Sequence, residues 1–121
     1  EMKDYVCSLL EQLELPYRVL KLCGGDMSFA SALTYDMEVF SAAQEKWLEV
    51  SSVSNFESFQ SNRLKLRFKG SDGKTQLAHT LNGSALALPR IVAALLENNY
   101  NGQYIQIPKA IQHYTGFDRI D

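Results

Sequence analysis

Arg90 is the residue whose type and position most clearly indicate chemistry. It follows Pro89, which suits a first helical turn because its missing N–H would have no partner there, and it precedes the apolar run 91–96. A guanidinium keeps its charge, so burial without an anion is costly. The start of a helix also favours an anion, through free N–H groups and the helix dipole. The position predicts either a clamp for an anionic ligand or a structural ion pair with a carboxylate.

Glu49 is a carboxylate inside a predicted strand, close to Trp47, and Ser51 and Ser52 follow it. The pattern fits a solvated strand face whose serines begin a turn. It equally fits a metal site, because Mg²⁺ prefers one or two carboxylates completed by phosphate oxygens and water. Strict alternation puts Glu49 and Ser52 on opposite faces, so a shared site requires the strand to bulge or end between them.

Asn82, Gly83 and Ser84 stand between a predicted strand and the helix that begins near Pro89. Gly83 has no Cβ and therefore allows another group to approach the backbone closely. A short amide and a short hydroxyl at a strand exit can hydrogen-bond a small polar ligand. The same residues also make an ordinary Asn-Gly turn, so their types leave both interpretations open.

The elements that position these groups follow from the spacing of apolar residues. Residues 1–14 are predicted to form an amphipathic helix, and residues 77–99 a strand, a turn and a helix buried on every side. Strands are predicted over Tyr17–Cys23, Thr34–Phe40, Lys46–Ser52 and Arg63–Lys69, the last with Leu64, Leu66 and Phe68 inward. Strands joined by hairpin turns, with helices at both ends, predict an α+β fold with an antiparallel sheet flanked by helices.

The composition excludes several function classes. The 121 residues make one domain at most, and a net charge of −2 gives no overall basic field for nucleic acid. The stripe of cations at positions 63–69 is best explained as a solvated strand face, although it could contact phosphates. Cys7 and Cys23 lack metal spacing and predict free thiols in a reducing compartment. No apolar run approaches the ~20 residues of a membrane span, and no nucleophile–base pair can be assembled.

Four segments, in their order and spacing, resemble the C-terminal part of the catalytic domain of bacterial-type seryl-tRNA synthetases, a class II aminoacyl-tRNA synthetase family. They are CGGDMSFASALTYDMEV, WLEVSSVSNFESFQSNRLKLRF, HTLNGSALALPRIVAALLEN and IPKAIQHYTGF. TLNGSALALPR is similar to the seryl form of motif 3, and LEVSSVSNF is similar to the signature that precedes it. The family normally has Thr where this chain has Gly24.

The resemblance implies that residues 1–121 are the C-terminal part of a class II catalytic domain that includes motif 3. Motifs 1 and 2 and the N-terminal tRNA-binding arm are absent from this chain. The resemblance further implies ATP and Mg²⁺ as cofactors, and a cytoplasmic homodimer that forms seryl-adenylate from L-serine and transfers the seryl group to tRNA(Ser). This piece alone is expected not to charge tRNA, because half of the ATP site belongs to the absent motifs.

Position by position, the resemblance implies two catalytic residues, Arg90 and Glu49. Arg90 is the clamp on ATP phosphate, and Glu49 is the metal and phosphate ligand. Ser84 contacts the serine substrate, and Asn82 lies near its hydroxyl. The ATP-binding residues that the resemblance implies are Glu49, Val50, Ser51, Ser52 and Arg90.

Two alternatives to a serine–tRNA ligase remain open at this point. One is a synthetase-like paralogue that loads an amino acid onto a carrier protein and shares motif 3. The other is a non-catalytic interaction module that keeps the fold. The intact residues Glu49, Ser84 and Arg90 speak against the second alternative.

Overall fold

The computed structural model describes residues 1–121 and contains one main sheet with helices packed against it. The four strands of this sheet are antiparallel, in the order β1-β2-β3-β6, and β4–β5 and β7–β8 form two small separate pairs. The predicted α+β architecture is confirmed. No helix is long and apolar enough to cross a membrane, since the longest have 11 residues. In chain order the elements are α1 (Met2–Gln12), β1 (Tyr17–Lys21), β2 (Leu33–Ser41), β3 (Lys46–Glu57), α2 (Phe59–Leu64), β4 (Arg67–Lys69), β5 (Thr75–Leu77), β6 (Thr80–Ser84), α3 (Leu88–Asn98), β7 (Ile105–Gln106), α4 (Lys109–Thr115) and β8 (Arg119–Ile120).

The hydrophobic core lies on one face of the main sheet, where α1 and α3 pack. Side chains alternate across a strand, so Glu38, which lies between the core residues Met37 and Val39 of β2, points to the opposite face. Cys7 is buried in the core and Cys23 is exposed, and both are free thiols as predicted. The core is made by Val6, Cys7, Leu10, Leu15, Met37, Val39, Val50, Val53, Ile91 and Ala94.

The prediction that the last helix of the 77–99 unit is buried on every side is wrong. In α3 only Ile91 and Ala94 are buried. Leu88 and Val92 are 71% and 52% exposed. One stripe of the helix packs on the sheet, and residues 105–111 approach Val92, Leu95 and Leu96 on another side without burying them fully. An apolar run shows that a helix is hydrophobic, but it does not show which faces of the helix pack against other elements.

The prediction of a strand over Arg63–Lys69 is wrong for its first half. The helix α2 continues to Leu64, and Lys65 ends it with a left-handed φ of 55°. The Arg63 guanidinium lies 3.5 Å from the centroid of the Phe59 ring, which is one helical turn earlier. This contact at i, i+4 spacing favours the helix, whereas period-two alternation alone favoured a strand. Leu64, Leu66 and Phe68, which were predicted to point inward, are all exposed.

Gly83 in β6 lies where α1 approaches the sheet. A Cβ at this position would be 3.0 Å from Cε of Met2 and 3.1 Å from Cγ2 of Val53. Because such overpacking displaces neighbours, we expect Gly83→Ala to lower the free energy of unfolding by about 1 kcal/mol. Urea denaturation measures the change. Gly25→Ala is the matched control, because a Cβ there meets nothing within 4 Å, and equal effects of the two variants would contradict the prediction.

Candidate functional site

A bulge in β3 brings Glu49 and Ser52 to the same face of the sheet. Met37 pairs with Ser51 and Glu38 pairs with Glu49, so Val50 has no partner on β2. One extra residue reverses the alternation of side chains on the bulged strand. The structure therefore contains the bulge that a site shared by Glu49 and Ser52 requires.

The strand β6 places Ser84 beside Ser52 and Asn82 one row further along. Ser84 pairs with Ser52, and Asn82 pairs with Ser54. Directly opposed residues of antiparallel strands point to the same face. The buried Ser51 hydroxyl donates a hydrogen bond to the backbone oxygen of Ser84, which fixes the exit of β6 against β3.

The start of α3 is tied to the bulge, and this places Arg90. The backbone N–H of Ala87 donates to the Val50 carbonyl oxygen at 2.6 Å. Arg90 donates through Nη1 to the backbone oxygen of Glu49. None of the four ion pairs in the chain involves Arg90, so the alternative of a structural carboxylate partner is not what the structure shows. The other guanidinium donors remain available to an anion.

These elements enclose an open cavity of about 350 Å³ next to the bulge. It combines one cation, one carboxylate and three hydroxyls, so it can receive both an anion and a hard cation. Asn82 is the one predicted site residue that does not line it. The lining residues are Glu49, Val50, Ser51, Ser52, Ser84, Leu86, Ala87 and Arg90.

Leu86 is a site residue that the sequence did not reveal. It joins β6 to α3 with φ of 70°, a left-handed conformation that is strained for a bulky side chain. Its side chain packs against the core while its backbone turns the chain toward Arg90. Strained backbone of this kind tends to occur at functional sites. A leucine carries no sequence signal for positive φ, and the small residues Gly83–Ala85 were the natural place to expect the turn.

The electrostatic environment of Glu49 is unfavourable for its negative charge. Partial burial and the nearby Asp36 carboxylate raise the pKa of Glu49, Arg90 opposes the shift, and Glu38 adds to it. One carboxylate oxygen of Asp36, Oδ1, is buried without a hydrogen-bond partner. A bound cation would relieve this repulsion between carboxylates.

The oxygen ligands in the cavity fit a magnesium ion that is also bound by phosphate and water. They do not fit a metal ion whose ligands all come from the protein. The Glu49 carboxylate and the Ser52 hydroxyl lie on the same face and are hard oxygen ligands of the kind Mg²⁺ takes. No three His, Cys, Asp or Glu side chains of the chain are grouped to hold a metal ion. A site with two protein ligands leaves the other positions to phosphate oxygens and water, which is the usual arrangement for Mg²⁺.

A family model and individual known proteins that are similar to this chain all belong to the tRNA synthetases. Residues 1–99 match the family described as tRNA synthetase class II core domain (G, H, P, S and T). The chain is 59% identical over 115 residues to a serine–tRNA ligase of Salinibacter ruber, with 93% of this chain and 27% of the relative covered. The chain is 53% identical over 117 residues to the serine–tRNA ligase of Neisseria meningitidis serogroup B, with 96% of this chain and 27% of the relative covered. The chain thus spans about a quarter of the length of these relatives.

Two solved structures share the fold over nearly the whole chain. Seryl-tRNA synthetase from Pyrococcus horikoshii, complexed with ATP, has a TM-score of 0.93 and 39% identity, with 98% of this chain and 27% of that chain covered. Cytoplasmic serine–tRNA ligase from Naegleria fowleri, in complex with AMP, has a TM-score of 0.89 and 25% identity, with 99% and 28% covered. The predicted class II synthetase-like sheet is confirmed.

Proposed function

Because this chain belongs to the family of class II tRNA synthetase core domains, we propose that it is the C-terminal part of the catalytic domain of a serine–tRNA ligase. The observation that carries the proposal is the single cavity in which Arg90, Glu49, Ser52 and Ser84 meet. In this proposal residues 1–121 contain motif 3, and motifs 1 and 2 and the tRNA-binding arm belong to the rest of the protein. The names of the relatives support serine as the amino acid.

The proposed reaction has two steps. A carboxylate oxygen of serine attacks the α-phosphorus of ATP, and the bond from this phosphorus to the oxygen that bridges to the β-phosphate breaks. Pyrophosphate leaves, and seryl-adenylate stays bound. The 3′-terminal hydroxyl of tRNA(Ser) then takes the seryl group, and AMP leaves. Both steps depend on positioning and charge neutralisation, so a cavity without a nucleophilic side chain suits them. ATP and AMP in the two neighbouring structures support this nucleotide chemistry.

Two groups of the cavity handle the nucleotide. Arg90 binds ATP phosphate with the donors that its bond to the Glu49 carbonyl leaves available. The segment Glu49–Ser52 lies along the nucleotide, and Glu49 with Ser52 would hold Mg²⁺. When bound, that ion supplies positive charge to the phosphate oxygens. Partial burial and then the neighbouring Asp36 carboxylate raise the pKa of Glu49, and this unfavourable setting for a negative charge supports a cation at this place.

Serine is proposed to bind at the exit of β6. Ser84 lines the cavity beside Ser52, and Asn82 stands one row further, where it can meet the hydroxyl of the substrate. A site built to hydrogen-bond a hydroxyl rejects analogues that lack one, because its own polar groups would lose their partners.

We expect Ser84→Ala to raise the KM for serine by about tenfold in the full-length protein, because one hydrogen bond to the substrate is lost. Serine-dependent ATP–pyrophosphate exchange measures this, and the preference for serine over alanine should fall in the same assay. Ser54→Ala is the control, because that hydroxyl is already bonded to Thr34 Oγ1 at 2.8 Å. An unchanged KM in the Ser84 variant would remove Ser84 from the serine site.

The whole protein is proposed to act in the cytoplasm as a homodimer, with L-serine and tRNA(Ser) as partners and without a membrane. The free thiols Cys7 and Cys23 support a reducing compartment. Residues 1–121 are proposed not to charge tRNA alone, since they span about a quarter of the length of their relatives.

Aminoacylation by the full-length protein tests the proposal. Given ATP, Mg²⁺ and labelled serine, it is expected to load tRNA(Ser) and to leave carrier proteins unloaded. Loading of a carrier protein in place of tRNA would favour the synthetase-like paralogue, and no activation of serine at all would favour an interaction module.

A further inference from the structure

Exposed basic side chains, the exposed Phe29 and the half-buried Phe59 form a surface that neither the core nor the cavity uses. Phe29, in the loop before β2, is 91% exposed, and its ring lies edge-on to that of Phe59 with 5.7 Å between centroids. The Arg63 guanidinium covers Phe59 at 3.5 Å and also donates to its backbone oxygen at 3.1 Å. The cations continue from α2 into β4. The basic–aromatic patch, as we define it, consists of Phe29, Phe59, Arg63, Lys65, Arg67 and Lys69.

The charge of this patch is uncompensated. The segment 63–74 carries five cations and one carboxylate, that of Asp72, in a chain with a net charge of −2. All five cations are exposed, and none belongs to the four ion pairs of the chain. Lysines and arginines grouped in this way, without carboxylate partners, attract a polyanion.

The apolar side chains between the cations are also exposed to solvent. Leu64, Leu66 and Phe68 are 73%, 48% and 50% exposed. Cations that track a phosphate backbone, together with aromatic rings open to stacking, are the combination by which proteins bind single-stranded nucleic acid. Sequence-specific contacts to RNA also concentrate on single-stranded ends, whose bases can stack on Phe rings.

The patch lies at the far end of the two strands that form the cavity. Beyond Ser52, β3 continues to Glu57 and leads directly into α2. Thr80 at the start of β6 donates to Oε1 of Gln60 in α2 at 2.8 Å, and Ser84 ends the same strand. Ser84 lies four positions after Thr80 on this strand, a distance of about 13 Å at ~3.3 Å per residue. A few nucleotides of a single strand span that distance.

We propose that the basic–aromatic patch binds the single-stranded 3′ end of tRNA on its way to the cavity, with a base on Phe29 and phosphates on the cations. This inference rests on the proposed function, which requires the 3′ end to reach the serine site. It assigns to the patch a substrate contact that the ATP and serine residues do not provide.

Phe29→Ala in the full-length protein tests the stacking contact. We expect the Kd for intact tRNA(Ser) to rise about tenfold, and the Kd for tRNA(Ser) without its single-stranded 3′ nucleotides to change less than twofold, as measured by filter binding. Serine-dependent ATP–pyrophosphate exchange, which needs no tRNA, should keep its rate. Tyr114→Ala is the control, since Tyr114 is 80% exposed and lies in α4.

Removal of the cations tests whether they bind phosphates. We expect the triple variant K65Q/R67Q/K69Q to reduce the slope of log Kd against log salt by about 2, near 0.7 for each single-strand phosphate that is no longer neutralised. Lys109→Gln is the control, because Lys109 is exposed and unpaired but lies in α4.

Two outcomes would overturn the inference and leave the proposed function intact. One is an unchanged Kd for intact tRNA in the patch variants. The other is an equal loss with intact and truncated tRNA together with a lower Tm, which would show that another part of the protein covers the patch. Absence of serine-dependent exchange in the unaltered protein would instead overturn the proposed function itself.

Discussion

Replacing Arg90 by glutamine is expected to lower kcat for serine-dependent ATP–pyrophosphate exchange by about 10²–10³ in the full-length protein. A preorganised donor aimed at developing phosphate charge typically contributes this much. Arg90 is placed for the task, because the Ala87–Val50 hydrogen bond fixes the start of α3 and no carboxylate neutralises the guanidinium. Arg90→Lys should recover only part of the rate, since lysine keeps the charge but loses the planar fork.

The stability of the Arg90 variants separates a ligand clamp from a structural role. The side chain is exposed and bonds only to the backbone oxygen of Glu49, so we expect Arg90→Ala to change the free energy of unfolding by less than about 1 kcal/mol. Arg119→Gln is the matched control for both assays, because Arg119 is exposed and pairs with Asp121 in the C-terminal tail. A large drop in Tm for Arg90→Ala would indicate a structural role.

Replacing Glu49 by glutamine is expected to reduce the same exchange by about 10²-fold or more, because a metal held at phosphate supplies several kcal/mol of charge stabilisation. The concentration of Mg²⁺ that gives half-maximal rate should rise as well. Glu57→Gln is the control, since Glu57 is an exposed carboxylate at the end of the same strand and outside the cavity. Loss of rate with an unchanged Mg²⁺ requirement would remove Glu49 from the metal site.

Glu49→Gln is also expected to change the pH dependence of stability. The folded protein raises the pKa of Glu49 above its ordinary 4.5, so the folded state binds this proton more tightly than the unfolded state does. Stability from this group is therefore complete below pH 4.5 and is lost as pH rises through the raised pKa. In metal-free buffer, the Tm of the variant relative to the unaltered protein should be higher at pH 7 than at pH 4. An equal difference in Tm between the variant and the unaltered protein at both pH values would contradict the raised pKa of Glu49.

The main sheet and the positions of the site residues could be predicted from local signals. Alternation in 34–40 and 46–52 predicted β2 and β3, and Pro89 marked the first turn of α3. The period of a strand also showed that Glu49 and Ser52 can share a site only if the strand bulges between them. The structure has this bulge, because Val50 has no partner on β2.

The features that sequence reasoning missed depend on contacts between distant segments or on backbone conformation. Leu88 and Val92 of α3 are exposed because the sheet and residues 105–111 cover only part of the helix, which the apolar residues of the helix do not indicate by themselves. Leu64 belongs to a helix that ends only at Lys65, through a left-handed backbone conformation that the alternation of residues 63–69 does not indicate. The left-handed turn at Leu86 is imposed by the junction of β6 with α3, not by the preference of leucine.

The most direct measurement of the central claim is serine-dependent ATP–pyrophosphate exchange by the full-length protein, by Arg90→Gln, by Glu49→Gln and by the double variant. Residues that act on one bound triphosphate work as a unit, so the double variant should lose little more than the more impaired single variant. Losses that multiply would show that the two side chains act independently of each other rather than on one coupled triphosphate. Exchange that proceeds without serine, or that survives in both single variants, would contradict the assignment of this cavity to serine activation.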